Sequence, residues 1–567
     1  MKNQITKFLL IVFSISLLNG LLTNSFAQSN SVYSIDSLDS KLINWYNMSP
    51  EIDKIQGVEV NRAYKELLSN KKSKKKIVVA IIDGGVDIDH IDLQGKIWVN
   101  KGEIPNNGID DDNNGYIDDI HGWGFLGNSK GENIEEENVE QTRIYRDLNP
   151  IYRNIKSTDS LSESQKKEYN LYLQSEKSFL EGLSKYTKIK ANLEAFEKDF
   201  KFVEEIIKNY LGRSTYTLDD LKSIRSVDGR IMKAREYLLN KYKQGFSYKE
   251  LAKVKEYNNM FLEKHYNLNF FPRNIIADNP KDINDRNYGN NDVKGPRPDH
   301  GTPVSGIIAA IRNNDIGIDG IAENVELMIL RAVPNGDERD KDIALAIRYA
   351  VNNGANIINM SFGKDFSPQK EFVDEAIKYA EANNVLMVHA AGNDGENIDV
   401  ANNFPTNILN DGTTVNSWIT VGANAKKLNK ELCGRFSNYG QKSVDFFAPG
   451  VNMILLYPGN KYSQMNGTSF SGPVVTGVAA LVWSYYPELT AIELKDVLLQ
   501  SCTVYPKQKV YCPNLQGGKI VRTKFSALSK AGGIVNAYNA LNLAEKVVNS
   551  KKQVSSSLID LAKVVSE

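Results

Sequence analysis

The sequence predicts an α/β protein built on a doubly wound, mostly parallel sheet and interrupted by a large helical insertion. Three observations predict it. Residues 77–82 form an unbroken, mostly β-branched apolar run, the pattern of a strand buried on both faces. Comparable runs recur at 326–333, 356–360, 385–389, 418–421 and 444–447, with helical stretches at 340–353 and 371–383 between them. Strand alternating with helix in this way is the signature of a doubly wound sheet. Residues 130–290 break the rhythm, being rich in Lys, Glu, Tyr and Leu with long helical periodicities, and read as the insertion.

Taken from the start of the chain, Lys2 and Lys7 precede an apolar run over 8–22, and Ser25-Phe26-Ala27 follows. That order predicts a secretory signal peptide over 1–27, cut after Ala27, and so export to the periplasm, cell surface or medium. A membrane anchor is the alternative, but the run is short and interrupted by Asn19 and Gly20. No later segment is apolar enough to span a bilayer, and no Cys follows the run to carry a lipid. An N-terminal extension occupies 28–70, with one short helix expected around 60–68. The basic stretch Lys71 to Lys76 then leads into the first strand of a main domain over 71–547.

In the insertion, Phe202, Ile206 and Tyr210 share one helical face and Val203, Ile207 and Leu211 another. Ser160 with Glu163 and Ser247 with Glu250 have the spacing of helix-start capping boxes. A short C-terminal tail covers 548–567. Net charge is zero, with 69 basic and 69 acidic residues, so no global charge points to nucleic acid. Of the three cysteines, Cys502 and Cys512 could close a small loop in an oxidising compartment, while Cys433 and both others could equally be buried thiols.

Three stretches carry chemistry. Asp83 ends the first apolar run, where α/β proteins gather their sites, although Asp87, Asp89 and Asp92 compete in the same loop. His300 opens Asp299-His300-Gly301-Thr302-Pro303-Val304-Ser305-Gly306, whose small residues let a helix pack closely on a sheet. The other histidines are His90, His121, His265 and His389. Ser469 sits in Asn466-Gly467-Thr468-Ser469-Phe470-Ser471-Gly472-Pro473, with Pro473 expected in a first helical turn. Ser469 would stand at the positive end of a buried helix, where a backbone N–H can meet an oxyanion. Serine alone is a poor nucleophile and needs a base, itself held by an acid.

In their order Asp, His, Ser and in their flanking residues, these stretches resemble the subtilisin family of serine proteases, over residues 77–125 and about 295–545. The resemblance implies the subtilisin-type fold and a serine endopeptidase acting on polypeptide substrates. It implies that Asp83 orients His300, that His300 takes the proton of Ser469, and that Asn393 of Ala390-Ala391-Gly392-Asn393 supplies the oxyanion-hole side chain. Ser361, Phe362 and Gly363 resemble the edge that pairs with an extended substrate, with Ala391 and Gly392 framing the pocket beside it. Phe436 to Gly440 and Phe447 to Gly450 resemble framework segments. The chain departs from the family at Gly84, where relatives carry Ser or Thr, and at Phe470-Ser471-Gly472; the extension 28–70 is short for an inhibitory propeptide.

One more loop, Asp110 to Asp119, places oxygen side chains at Asp110, Asp112 and Asn114 before Gly115, the pattern a hard cation such as Ca²⁺ requires. Tyr116 and Asp119 complete the expected structural Ca²⁺ set, with Asp118 as an alternative and His121 standing where an EF-hand would have its closing Glu. An acidic Asn-Gly turn without metal is the other reading. Two rivals to an active, general endopeptidase remain open: a binding scaffold that uses the insertion as its interaction surface, and a narrow processing protease whose insertion gates access.

Overall fold

The computed structural model describes residues 32–33, 43–515 and 521–566, with side chains described as far as 553. The expected signal peptide and its cleavage point lie outside the described residues. Among the described residues no helix is long and apolar enough to cross a membrane. The chain divides into two compact units, one helical over 141–270 and one α/β from 30–140 and 271–567.

The α/β unit carries a nine-stranded sheet. Its strands are β1 (Ile77–Asp83), β2 (Gly122–Gly124), β3 (Val325–Arg331), β4 (Ile357–Met360), β5 (Leu386–Ala390), β6 (Trp418–Asn424), β7 (Phe446–Pro449), β8 (Thr503–Val504) and β9 (Gly533–Ile534). Across the sheet they run β8-β9-β7-β6-β5-β4-β1-β3-β2. Every pairing is parallel except that of β8 with β9.

Alternate residues of β1 serve two separate cores. Ile77, Val79 and Ile81 join one with helices α1 (Gly301–Ala309) and α4 (Thr468–Tyr485). Ala80 and Ile82 join the other with α2 (Asp340–Asn352) and α3 (Lys370–Ala382). A strand covered on both sides has no solvent face to mark with polar residues, which is why its sequence shows no alternation. The sequence-expected strands all form, with ends shifted by a residue or two except the one expected at 418–421, which runs on to Asn424. The short strands β2, β8 and β9, and the hairpin Met453–Tyr457 with Lys461–Met465, carry too few residues to show a period.

Registers bring the strand ends level: Ile82 pairs with Met360, Met360 with His389, and Ala390 with Val421. The loops leaving β1, β4 and β5 therefore emerge side by side at the carboxyl edge, where open α/β sheets place ligands.

The helical unit is built on one 49-residue helix, Glu163–Leu211. Its N-cap is Ser162, reciprocated by Gln165, rather than the expected Ser160 and Glu163; Ser247 does cap its helix through the Glu250 N–H. Of the two faces read from periodicity, Val203 and Ile207 are buried, whereas Phe202 and Tyr210 are exposed. The compact unit is narrower than the compositional shift at 130–290. Tyr288 belongs with the sheet, its carbonyl accepting from Trp123 Nε1. The tail 548–566 continues the helix that begins at Ala537. All three cysteines are free thiols, so Cys502 and Cys512 close no loop here.

Candidate active site

Asp83 is the last residue of β1 and is buried. Its Oδ1 and Oδ2 both lie 2.9 Å from His300 Nδ1, and Oδ1 accepts the Gly84 N–H at 2.7 Å. His300 is the N-cap of α1. Gly301 makes that approach possible, since a Cβ there would lie 2.2 Å from the Gly85 carbonyl oxygen. Loss of water around the ring works against the imidazolium, but the Asp83 carboxylate outweighs it and holds His300 above its ordinary value.

The other histidines and acids are engaged elsewhere. His389 Nε2 lies 2.8 Å from the Phe362 carbonyl, and burial lowers it to about 4, so it stays neutral. His90 Nδ1 accepts the Asp92 N–H, and His121 Nδ1 lies 2.8 Å from the Trp98 carbonyl. Asp87 is paired with Lys294 at 2.6 Å. Asp92 is bonded to Asn314 and raised to about 6 by burial.

Ser469 is the second residue of α4, so its N–H is among those a helix start leaves free. Its Oγ donates to the Ser361 carbonyl at 3.2 Å. No bond from Ser469 to His300 is made in this arrangement, although the adjoining Phe470 ring lies 5.8 Å from that of His300. Pro473 is inside the helix, not in its first turn as expected, because α4 begins at Thr468.

Asn393 lies on the loop after β5, exposed. Its Oδ1 accepts from Thr468 N and Oγ1, at 2.9 and 3.0 Å, which leaves the amide nitrogen as the donating end. Thr468 Oγ1 also accepts the Gly392 N–H at 3.1 Å. Gly392 has φ +97, and a Cβ there would strike Asn438 Nδ2 at 2.4 Å, so only glycine suits the turn. Asn438 pins this loop, accepting from the N–H groups of Asp394 and Glu396, and Asn403 holds the Ala391 carbonyl at 2.9 Å. Thr468 and Asn403 escaped sequence reasoning, and nothing in local spacing marks Asn403. On the neighbouring edge Ser361 is buried, Phe362 half-buried and Gly363 exposed.

The acidic loop is folded on itself. Glu103, Asp112 and Asp119 offer carboxylate oxygens within 4.8 Å of one another. Asn114 Nδ2 bridges Asp112 and Asp119. Asp110 is outside that trio, its oxygens accepting the Asn114 and Gly115 N–H groups. The ring of Tyr116 packs edge-on against Trp123 and Tyr349, so its carbonyl is the group it could offer. Glu103, which accepts from the Asp111, Asp112 and Asp118 N–H groups, lies upstream of the motif and has no spacing to betray it. Three carboxylates at this separation are a hard-oxygen donor set that suits Ca²⁺.

The subtilase family model matches residues 74–523. The chain belongs to the subtilase family. It is 37% identical over 206 residues to the alkaline elastase YaB of Bacillus sp. (strain YaB), covering 36% of this chain and 50% of that one. It is 34% identical over 213 residues to subtilisin Savinase of Lederbergia lenta, covering 37% and 73%. Among solved structures, a cold adapted subtilisin-like serine proteinase matches with 28% identity, a TM-score of 0.31 and coverage of 36% and 68%. The match spans about half the length of the first of these curated relatives.

Proposed function

We propose that this subtilase is an exported serine endopeptidase that cleaves polypeptides through Ser469, His300 and Asp83. The observation that carries the reading is the His300–Asp83 pair at 2.9 Å, on the sheet edge shared by Ser361, the partner of Ser469 Oγ. Turning about χ1, Ser469 exchanges the Ser361 carbonyl for His300 Nε2. Its Oγ then attacks the scissile carbonyl carbon while His300 takes the proton. The Asn393 amide and the Ser469 N–H receive the oxyanion. Collapse of the tetrahedral intermediate breaks the C–N bond, and His300 hands its proton to the departing amine. Water, deprotonated by the same imidazole, then hydrolyses the acyl ester. Asp83 keeps its bonds to Nδ1 throughout and supports the imidazolium.

Extended substrate pairs along Ser361, Phe362 and Gly363, with Ala391 and Gly392 beside the side chain preceding the cut. Glu103, Asp112 and Asp119 would hold Ca²⁺, and Asn114 would join them only by turning its amide so that Oδ1 replaces Nδ2. The ion would offset two of the trio's three negative charges and stiffen the loops between β1 and β2, a structural role only.

A binding scaffold is the second reading, favoured by the engagement of Ser469 Oγ with Ser361 instead of His300. A fluorophosphonate probe decides between them. The wild type is expected to label and Ser469→Ala not to, and chelation is expected to lower the melting temperature until Ca²⁺ is restored. A folded, Ca²⁺-supplied wild type that does not label would favour the scaffold.

A further inference from the structure

The helix that presents Ser469 begins with a backbone deficit of its own making. In an α-helix the carbonyl of residue 469 accepts from the N–H of residue 473. Residue 473 is proline, which has none. A carbonyl left without its donor in a partly buried site is costly, and here it belongs to the half-buried residue whose position matters most.

The missing donor is supplied from the sheet. Ser361 Oγ donates to the Ser469 carbonyl at 2.9 Å. Behind it, Asn359 Nδ2 donates to Ser361 Oγ at 2.9 Å, and Thr476 Oγ1 donates to Asn359 Oδ1 at 2.9 Å. All three side chains are buried, Asn359 and Thr476 completely. The sequence of bonds has a single direction. With the Asn359 oxygen occupied by Thr476, its amide faces Ser361. With the Ser361 oxygen accepting that amide, the one hydroxyl proton is directed at Ser469.

Asn359 is in β4 and Ser361 is the first residue after it, two positions on and bonded to the Asn359 amide, and Thr476 lies two helical turns on from Ser469 along the same side of α4. Strand and helix periods therefore coincide at this one place. Asn359 interrupts an otherwise apolar strand, and this bonding explains why a buried strand would carry an amide.

We infer that Ser361 is a positioning residue: its hydroxyl, aimed by Asn359 and Thr476, replaces the donor that Pro473 removes and holds the Ser469 backbone in register for attack. The inference rests on the reading of Ser469 as nucleophile and concerns the side chain of Ser361, separately from its main-chain place on the substrate edge.

The test is a double-mutant cycle on the purified mature protein, reading kcat and KM on a peptide substrate and the fluorophosphonate labelling rate. Ser361→Ala is expected to lower kcat and labelling about ten- to hundredfold, the worth of one buried hydrogen bond, with KM little changed. Ser361→Thr, which keeps the hydroxyl, should recover most of the rate. Pro473→Ala alone should change little, and Ser361→Ala with Pro473→Ala should recover the rate, since residue 473 again has an N–H to give. Thr476→Val should produce a smaller fall in kcat and does not depend on the double variant folding.

An unchanged kcat in Ser361→Ala, or a folded double variant no faster than Ser361→Ala, overturns the inference. So does a Thr476→Val enzyme with wild-type kcat. A wild type that fails to label overturns the nucleophile reading and this one with it, whereas a labelling wild type with an unaffected Ser361→Ala overturns this one alone.

Discussion

The two compact units put polar groups to different ends. In the helical unit the core is aromatic and aliphatic, with Phe196, Phe200, Phe246, Val203 and Ile207 at its centre. The buried Glu204 accepts the hydroxyls of Tyr216, Tyr242 and Tyr248, so one carboxylate satisfies three phenols and is used up in doing so. In the α/β unit the fully buried charges, such as Arg273 with Asp342, also close on one another, but the exposed Asn393 and the half-buried Ser469 and His300 at the sheet edge leave ends unspent: the Asn393 amide nitrogen, the Ser469 N–H and the far nitrogen of His300. A polar group that closes its bonds internally builds structure; one held by a single end is poised for a ligand. The comparison teaches that burial of charge is no guide to a site, whereas incomplete satisfaction in a fixed orientation is.

The largest effect should come from the helical core. Phe200→Ala removes a fully buried ring that packs 4.1 Å from Phe246, and should cost about 3–5 kcal/mol in that unit. Calorimetry should show the loss, while the labelling rate of Ser469 below the transition stays unchanged. A rate that falls with stability would break the contrast between the units.

Asn393→Ala should act in the opposite sense. It removes one donor to a charge that exists only during reaction, so kcat should fall roughly ten- to hundredfold with KM nearly unchanged, and the melting temperature should fall only by as much as the lost Oδ1 bonds to Thr468 account for. A matching loss of stability would place Asn393 with Glu204 as a structural group.

The smallest effect is one of pH. Because His300 is raised above its ordinary value of 6.5 and must be neutral to accept a proton, the acid limb of kcat/KM should lie above that value, with activity rising as pH increases through it. The stability sign is reversed. The His300–Asp83 pair stabilises the folded state fully below pH 6.5, and that contribution fades as pH rises through the folded value. Melting of Ser469→Ala across this range, together with imidazole titration by NMR, checks both directions. A folded-state value at or below 6.5 would mean that Asp83 does not outweigh burial.

Much of this architecture was legible before any coordinates. Strands covered on both faces wrote themselves as unbroken apolar runs, and Asp83, His300 and Ser469 stood at a strand end and two helix starts, positions that local pattern reveals. The capping serine was misplaced by two residues because Ser160 and Ser162 both precede acceptable partners within the same few residues, and only the path of the chain chooses. Periodicity found two faces on the long helix without saying which the neighbouring helices would cover.

The sequence by itself determined the order of elements, the α/β class and the three residues proposed for the triad, since each follows from short-range pattern and residue chemistry. Tertiary structure alone decided that Glu103 joins Asp112 and Asp119, that Thr468 and Asn403 hold the loop of Ala391 to Asn393, and that Ser361 Oγ donates to the Ser469 carbonyl. Those partners come together through the packing of a strand against a helix or the folding of a loop, and contacts made that way leave no period in the chain to read.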